Sequence, residues 1–351
     1  MRYRNEMSLR SRATGFHVKP VLSFCIAMAP MASIIHPPED MALYYAASTM
    51  AAWPAPQPLS QAVLQRKYLQ PGESGMGDVF DRVAKAMASV ELPEKRVHMA
   101  AVFRQLMAAG AIGAGRIMAG AGTGLPVSLA NCFVQPVGDC LGGRDEAGYP
   151  GIHDALAQAT ETLRRGGGVG YDFSRIRPQG ARINGTGWMA SGPCRFIDAF
   201  DASCTALQTQ GSRRGAQMAV LRCDHPDIES FIHAKDTGGL TNFNISVGVT
   251  DAFMRAVETD QPIELVHRAE PAPDVMEKGG YQREDGLWVY RKLPARELWP
   301  QIMHSTYDHA EPDILFLDRI NRDNNLKYCE TIAATNPCVT ADTWVMTAEG
   351  A

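Results

Sequence analysis

Two segments of the chain place apolar residues at the spacing of an amphipathic helix. Residues 80–91 and 152–165 each bring four of them to one face. They are Phe80, Val83, Met87 and Val90 in the first segment, and Ile152, Leu156, Ala159 and Leu163 in the second. The second segment runs into Gly166, which suits the residue after a helix, and Arg164 and Arg165 lie where the helix dipole favours cations. Both segments are predicted to be helices.

Short apolar segments between these helices have the pattern of strands. Residues 242–249 alternate apolar and polar side chains, and residues 313–317 form the short apolar run that is typical of a buried strand. Thr250 or Asp251 follows the first of these strands and can cap a helix over DAFMRAVE. Helices that alternate with short strands predict the α/β fold class.

The composition is that of an ordinary globular protein. The chain has 351 residues, of which 45% are hydrophobic and 21% charged, and its 34 Lys and Arg against 38 Asp and Glu give a net charge of -4. These values exclude a collagen, a coiled coil and a wholly disordered chain, and bulk charge does not predict a nucleic-acid partner. The 8 cysteines form no CxxC pair, so we predict neither a disulfide framework nor a bound metal and expect a reducing cytoplasm.

The first 56 residues differ from the rest of the chain. Basic residues precede an apolar run over 21–35, which superficially resembles a secretory signal, but Pro30 interrupts the run and it is too short to span a bilayer. The stretch WPAPQPLS at 53–60 is typical of a linker. We therefore expect residues 1–56 to be a disordered extension and linker, with no membrane partner, and a folded body that begins near Gln57.

Three segments combine glycines with polar and cationic residues, at 166–180, 183–193 and 210–220. Glycines allow close approach of the backbone to a ligand, and arginines can contact phosphate in a bidentate manner. Four arginines are candidates for this contact: Arg175, Arg177, Arg213 and Arg214. The pattern predicts a nucleotide site, although it contains neither a Walker loop nor a Rossmann fingerprint. Tight turns with surface arginines are the alternative.

Single cysteines carry little information in this sequence. Cys132 lies in LANCFV and Cys338 follows Asn336 in ATNPC, and such cysteines are usually packed core thiols. The run Cys223-Asp224-His225 with His233 suggests a metal site, but its spacing fits no standard zinc pattern. A helix over HPDIESFI, with Asp224 or Asp227 near its N-terminus, explains the run better.

Seven segments, in order along the chain, resemble the adenosylcobalamin-dependent, or class II, ribonucleoside-diphosphate reductases. They are GRIMAGAGT (115–123), LANCFV (129–134), GGGVGYDFSRIRPQGA (166–181), ASGPCRFIDAFDA (190–202), GSRRGAQMAVLRCDHPDIESFIHAK (211–235), FNISVGVTDAFM (243–254) and CETIAATNPC (329–338). The resemblance implies a helical region at 57–125 and, at 126–337, the first part of a ten-stranded α/β barrel whose finger loop carries a radical cysteine. It also implies reduction of ribonucleoside diphosphates to 2′-deoxyribonucleotides, with adenosylcobalamin as cofactor.

The same resemblance assigns roles in the active site. Cys132 corresponds to one cysteine of the redox pair that reduces the 2′ position, and its partner would lie downstream of this chain. Asn336 corresponds to the asparagine that binds the substrate, and position 338 to the thiyl cysteine of the NPCGE finger loop. Asn131 joins Cys132 and Asn336 as a substrate-binding candidate. The glycine and glutamate of NPCGE do not follow Cys338 here.

An allosteric site and several partners are also implied. By position, Asp139 would hold the ribose of a dNTP effector and Arg177 its phosphates, and the loop GSRRG would report the effector to the active site. Four residues of that loop are the candidates: Gly211, Ser212, Arg213 and Arg214. Thioredoxin or glutaredoxin would be the reductant. The resemblance leaves a homodimer open.

The segment after TNPC departs from the family. It reads CVTADTWVMTAEGA over 338–351, which resembles the start of an intein, with Cys338 as the nucleophile that attacks the carbonyl carbon of Pro337. The alternative is a divergent tail in which Cys338 is itself the radical cysteine. On either interpretation the chain is an N-terminal portion of a reductase, and we expect no activity from it alone.

Three rival interpretations remain. The chain could be a non-enzymatic fragment that binds dNTPs, or part of a reductase whose radical comes from a second subunit instead of cobalamin. An open half-barrel with unpaired strand edges could also fail to fold.

Overall fold

The computed structural model describes residues 57–183, 185–207 and 215–338. The N-terminal part of these residues is helical. It consists of α1 (Pro58–Lys67), α2 (Met76–Ala88), a 3₁₀ turn (Pro93–Lys95), α3 (Arg96–Ala108) and α4 (Gly115–Gly120). Residues 1–56 and 339–351, where the extension, the linker and most of the intein start were predicted, lie outside the described residues.

Helix α2 occupies most of the segment 80–91 that the apolar spacing predicted, but begins and ends earlier. It begins early because the carboxylate of Asp78 accepts hydrogen bonds from the backbone N–H groups of Ser74 and Gly75, at 2.7 and 3.2 Å. The placement of Val90 on the buried face is wrong: the helix ends two residues before it, and the side chain is 66% exposed.

Arg82 connects α2 to the turn that follows α4. Its guanidinium donates to the carbonyls of Met118 and Ala121, at 3.2 and 2.5 Å, and forms an ion pair with Glu73 at 2.6 Å. Both side chains of this pair are nearly buried. The carbonyl groups at the end of α4 are thereby satisfied, and α4 is fixed in place.

The rest of the described chain alternates strands and helices. The strands are β1 (Cys132–Pro136), β2 (Gly168–Asp172), β3 (Gln217–Arg222), β4 (Phe243–Val249), β5 (Pro262–His267), β6 (Tyr281–Gln282), β7 (Trp288–Pro294) and β8 (Asp313–Phe316). The helices are α5 (Ile152–Arg164), α6 (Pro193–Leu207), α7 (Ile228–Ile232), α8 (Asp251–Thr259), α9 (Pro273–Glu277), α10 (Ala295–His309) and α11 (Leu317–Asp323).

Five strands form one parallel sheet in the order β1-β2-β3-β4-β8. Most of the helices pack on one side of it, and Leu317 of α11 packs on the other, which confirms the predicted α/β class. The five strands of this sheet are half of the ten that the resemblance implies, so the sheet is consistent with part of a barrel. A second, antiparallel sheet in the order β5-β7-β6 was not predicted.

The main core lies between the parallel sheet and its helices. Its centre is a cluster of buried rings formed by Tyr171, Phe173, Phe200 and Phe243. Tyr171 and Phe200 meet edge to face with their centroids 5.1 Å apart, a favourable geometry for aromatic rings. The core therefore fixes β2, the strand that lies next to β1 and against the chain near Cys338.

Several local predictions are confirmed. The segment 152–165 forms α5, and Gly166 after it adopts the left-handed φ of 82° that favours glycine at this position. Strands β4 and β8 lie where the apolar pattern put them. Thr250 rather than Asp251 caps α8, since its hydroxyl accepts a hydrogen bond from the backbone N–H of Phe253 at 3.1 Å.

Candidate active site

Two cysteines that are far apart in the sequence meet at the edge of the parallel sheet. Cys132 is the first residue of β1, and Cys338 ends an extended stretch that returns across β2. Their sulfur atoms lie 3.6 Å apart. We call Asn131, Cys132 and Cys338 the thiol corner. The structure brings together the two cysteines that the sequence resemblance paired in one site.

Glycines of β2 give the returning stretch its path. A Cβ atom added to Gly170 would lie 1.9 Å from the carbonyl oxygen of Thr335, and one added to Gly168 would lie 3.1 Å from the sulfur of Cys132. No side chain larger than hydrogen fits at Gly170 without moving the backbone of the stretch. The residue pattern indicated a phosphate-binding role for this glycine-rich segment; these two glycines instead face the chain that leads to Cys338.

Two asparagines hold the end of this stretch. Asn336 is buried, and its side-chain oxygen accepts a hydrogen bond from the backbone N–H of Cys338 at 3.1 Å. The side-chain amide of Asn244 donates to the carbonyl oxygen of Pro337 at 3.2 Å. Asn244 was missed by the sequence analysis, because it is an ordinary polar position in an alternating strand and its partner is distant in the sequence.

The two thiols have different surroundings. Cys132 is half-buried, and Cys338 is exposed. Burial and, after it, the hydrogen bond with the Cys338 thiol raise the pKa of Cys132 to about 11. Cys132 is therefore a protonated thiol at neutral pH and can serve as a donor of hydrogen rather than as a thiolate nucleophile.

The third member of the thiol corner faces the helical region. Asn131 is exposed, and its side-chain oxygen accepts a hydrogen bond from Nε of Arg116 at 3.0 Å. Arg116 belongs to α4, in the GRIM sequence. The helical region and the sheet therefore meet beside Cys132.

Two candidate effector residues meet between neighbouring loops, since Asp139 lies on the loop after β1 and Arg177 on the loop after β2. The backbone N–H of Arg177 donates to Asp139 at 2.9 Å, and its guanidinium forms an ion pair with the same carboxylate at 3.1 Å. Arg175 forms an ion pair with Asp145 at 3.0 Å. We call residues 173–182 the arginine loop. The other four effector candidates, Gly211, Ser212, Arg213 and Arg214, lie outside the described residues.

Two buried histidines hold the backbone of the arginine loop. Nε2 of His267 is 3.0 Å from the carbonyl oxygen of Arg175, and Nε2 of His225 is 3.0 Å from that of Ile176. Nδ1 of His225 accepts from the backbone N–H of Asp227 at 3.1 Å. Desolvation lowers the pKa of His225 to about 3 and that of His267 to about 4, so both rings are neutral.

These contacts account for the residues that suggested a metal site. His225 binds the arginine loop, Asp224 forms an ion pair with Arg222 at 2.6 Å, and His233 binds Asp236. Among residues 57–183, 185–207 and 215–338, no three metal-ligating side chains are grouped so that they could hold an ion. No helix within these same ranges is long and apolar enough to cross a membrane.

Two models of known protein families match the chain. Residues 130–341 match the ribonucleotide reductase barrel domain, and residues 55–126 match the ribonucleotide reductase all-alpha domain. The barrel match covers more than half of the chain. The chain therefore belongs to the ribonucleotide reductase large-subunit family.

Several curated relatives of the chain are named as vitamin B12-dependent reductases. The chain is 37% identical over 287 residues to a vitamin B12-dependent ribonucleoside-diphosphate reductase of Mycobacterium tuberculosis strain CDC 1551, a match covering 79% of this chain and 38% of the relative. A protein of the same name from Thermoplasma acidophilum is 37% identical over 212 residues, covering 60% of this chain and 24% of the relative. A vitamin B12-dependent ribonucleotide reductase of Streptomyces clavuligerus is 30% identical over 242 residues, covering 62% and 23%. The chain thus spans less than two fifths of the length of each of these relatives.

Proposed function

We propose that the chain supplies the N-terminal portion of a vitamin B12-dependent reductase that converts ribonucleoside diphosphates to 2′-deoxyribonucleotides. The observation that carries this proposal is the thiol corner, where the sulfur atoms of Cys132 and Cys338 lie 3.6 Å apart. The names of the relatives support the same chemistry. The rest of the barrel would come from a downstream segment.

Each residue of the site has a role in this chemistry. A thiyl radical at the position after Pro337 takes the 3′ hydrogen of the ribose and returns it at the end of the reaction. Cys132 and a downstream cysteine give two electrons and two protons, so that the 2′ hydroxyl leaves as water and the two cysteines form a disulfide. Asn336 binds the substrate, and thioredoxin or glutaredoxin reduces the disulfide. The raised pKa of Cys132 keeps its proton in place for this step.

The thiol corner is compatible with a radical cofactor. The thiol at the position after Pro337, which a radical generator must reach, is exposed here as Cys338, and Asn336 and Asn244 hold the backbone at that position. Bound adenosylcobalamin supplies the radical that activates this thiol. The residues of this chain orient the thiol and the substrate.

We further propose that Cys338 is the first residue of an intein. Its sulfur attacks the carbonyl carbon of Pro337, the peptide C–N bond breaks, and the thiol proton passes to the released amine, which gives a thioester. Splicing then joins Pro337 to a downstream cysteine that starts the rest of the host protein. A cysteine follows Pro337 before and after splicing, so the geometry of the thiol corner applies to both.

We also propose that Asp139 and Arg177 belong to the dNTP effector site. Their support is the ion pair between them, which joins the loop after β1 to the arginine loop, and the family resemblance, which assigns Asp139 by position and holds Arg177 within the segment 166–181. A dNTP would replace the carboxylate of Asp139 as the partner of the Arg177 guanidinium, and the carboxylate would bind the ribose hydroxyl.

Sequencing of the DNA past the codon for Ala351 tests the proposal first. We expect the splicing blocks of an intein followed by a host segment that begins CGE. The complete spliced protein should then reduce a ribonucleoside diphosphate with adenosylcobalamin and a dithiol, without a second subunit. Cys132→Ser should abolish the activity, and Cys329→Ser, at an exposed cysteine outside the thiol corner, should retain it.

Two outcomes would contradict parts of the proposal. An immediate stop codon, with no complementary segment elsewhere in the genome, would favour a fragment that only binds dNTPs. Activity that requires a second, radical-bearing subunit would contradict the cobalamin assignment and leave the reductase assignment in place.

A further inference from the structure

Arg116 connects the helical region to the thiol corner through several contacts at once. Its Nε donates to the side-chain oxygen of Asn131 at 3.0 Å, and its Nη1 donates to the carbonyls of Ser128 and Arg165 at 3.3 and 3.4 Å. Its Nη2 donates to the carbonyl of Gly166. The acceptors lie on the segment that enters β1 and on the segment that enters β2, so one planar group fixes the relative position of both.

The chain makes room for this guanidinium. A Cβ atom added to Gly166 would lie 2.9 Å from Nη1 of Arg116, and Gly166 has a φ of +82°, which favours glycine for a second reason. Gly166 and Arg165 are also the residues that follow α5, where the dipole of that helix favours a cation. The guanidinium is therefore held by geometry and by charge.

The geometry points to Arg116 as a positioning residue of the active site: we propose that its planar guanidinium sets the orientation of Asn131 and thereby the position of the Cys132 thiol relative to residue 338. This role rests on the proposed function, because the position of Cys132 matters through its part in the reduction.

The contacts indicate positioning rather than direct binding of a substrate phosphate. The Nε, Nη1 and Nη2 atoms all donate to protein acceptors, so the guanidinium is committed to the two chain segments. Burial is the main influence on the Cys132 thiol and raises its pKa, while the positive charge of Arg116 acts in the opposite direction. Arg116 thus holds the thiol corner through hydrogen bonds, and its charge partly offsets the increase in the pKa of Cys132.

The rate of disulfide formation between Cys132 and Cys338 measures this positioning in the 351-residue chain itself. The probe is 2,2′-dipyridyl disulfide. The reaction is run at alkaline pH, so that a fraction of the Cys132 thiol is ionised. The exposed Cys338 sulfur attacks the probe and releases one pyridinethiol, and the Cys132 thiolate then attacks Cys338 and releases the second. Two protein thiols are oxidised and one probe disulfide is reduced, and peptide mass spectrometry quantifies the cross-linked pair.

Both Arg116→Gln and Arg116→Lys should slow the second, intramolecular step by about tenfold or more, because small displacements of reacting atoms have large effects on such rates. If Arg116 acted only through its positive charge at the end of α5, lysine would restore the rate. A slow Arg116→Lys variant therefore indicates that the planar guanidinium is required. Arg104→Gln is the matched control, since Arg104 forms an exposed ion pair with Asp81 in the same helical region. It should cross-link at the wild-type rate.

Asn131→Ala is a second variant that tests the positioning role of Arg116 if Arg116→Gln does not fold. It removes the acceptor of Nε at an exposed position, so it should slow the cross-link as Arg116→Lys does, and the double variant should be no slower than either single one. A wild-type rate in Arg116→Lys or in Asn131→Ala would overturn the positioning role. So would a wild-type chain whose two cysteines do not cross-link.

The experiment separates this inference from the proposed function. Cross-linking needs no reductase activity, no cofactor and no downstream segment. If the variants behave as expected and the complete protein reduces no ribonucleotide, the proposed function fails while the positioning role of Arg116 stands.

Discussion

The thiol corner and the arginine loop are built in opposite ways. In the thiol corner, glycines of β2 leave space for the returning chain, and the exposed Cys338 meets Cys132 through two sulfur atoms. In the arginine loop, charged side chains are paired within the protein, as Arg177 is with Asp139, and buried rings hold the backbone. The thiol corner depends mainly on the space that the glycines leave, with a few hydrogen bonds beside it, and the arginine loop depends on contacts between side chains.

The two regions should therefore be sensitive to different perturbations. Added atoms should damage the thiol corner, because close packing leaves the returning chain no alternative path. Changes in charge or protonation should damage the arginine loop, because its contacts depend on ionised carboxylates and neutral imidazoles. Variants in the two regions can therefore be designed to fail for different physical reasons.

The largest effect is expected from Gly170→Ala. The new methyl group would lie 1.9 Å from the carbonyl oxygen of Thr335, so the stretch that ends in Cys338 must move. We expect cross-linking of Cys132 with Cys338 to slow by about 100-fold, measured with the same disulfide probe. Gly77→Ala is the control, since a Cβ atom there meets nothing within 4 Å. A wild-type rate in Gly170→Ala would show that the space at this glycine does not set the corner.

The next effect is a pH dependence of stability in the arginine loop. Burial lowers the pKa of His225 to about 3 and of His267 to about 4, whereas both titrate near the ordinary value of 6.5 in the unfolded chain. As the pH falls below 6.5, the unfolded state takes up protons that the folded state does not. The free energy of unfolding should then decrease by about 1.4 kcal/mol per pH unit for each histidine until the folded pKa is reached. Asp139, Arg177 and Arg268 are the charged groups around His267.

Urea unfolding at several pH values between 6.5 and 5 measures this slope. His267→Gln removes one titrating ring. It should reduce the slope of the unfolding free energy against pH by about 1.4 kcal/mol per pH unit, the contribution of one proton, and His225→Gln should do the same. His98→Gln, at an exposed position of α3, is the control and should leave it unchanged. Equal slopes in the wild type and in the double variant at His225 and His267 would contradict the account of the two rings.

The sequence predicts local structure in this protein better than it predicts distant contacts. Helix α5, strand β4 and strand β8 follow from apolar spacing, because that spacing reports which side chains of one segment face the core. The antiparallel sheet β5-β7-β6 was not predicted, since its strands carry charged residues on an exposed face and have little apolar alternation. Val90 was misplaced because apolar spacing does not report where a helix ends, and α2 ends at Ala88, where the Ser89 hydroxyl donates to the carbonyl oxygen of Ala86 at 2.7 Å.

The candidate site shows the same limit more clearly. Cys132 and Cys338 are ordinary lone cysteines when taken from their neighbours alone, and only the family resemblance paired them. The role of Gly170 could not be predicted, because the glycine makes room for a chain segment more than 160 residues away. His225 suggested a metal through its neighbours in the sequence, and its contact with the carbonyl oxygen of Ile176 depends on tertiary structure, as does that of His267 with Arg175.

A smaller effect is expected when the ion pair of the arginine loop is altered. Asp139→Asn removes the charge that holds the Arg177 guanidinium, and it replaces the carboxylate proposed to bind the effector ribose with a neutral amide that keeps one oxygen acceptor. We expect dNTP binding, measured by calorimetry, to weaken by about tenfold, which is the size of one charge-assisted hydrogen bond. The control is Asp198→Asn, which alters an exposed pair with Arg195. Unchanged affinity would remove Asp139 from the effector site.

The smallest effect is expected from Asn244→Ala. This variant tests whether a single hydrogen bond matters in the thiol corner, where the space left by glycines mainly sets the path of the chain. The variant loses the hydrogen bond from the Asn244 amide to the carbonyl oxygen of Pro337, at 3.2 Å, and leaves the glycines of β2 unchanged. Cross-linking should slow by about fivefold, since one such bond is worth about 1 kcal/mol. Gln282→Ala loses a comparable amide-to-carbonyl bond in an exposed turn and should not change the rate. A slowing as large as that of Gly170→Ala would mean that the thiol corner, like the arginine loop, is held by its polar contacts.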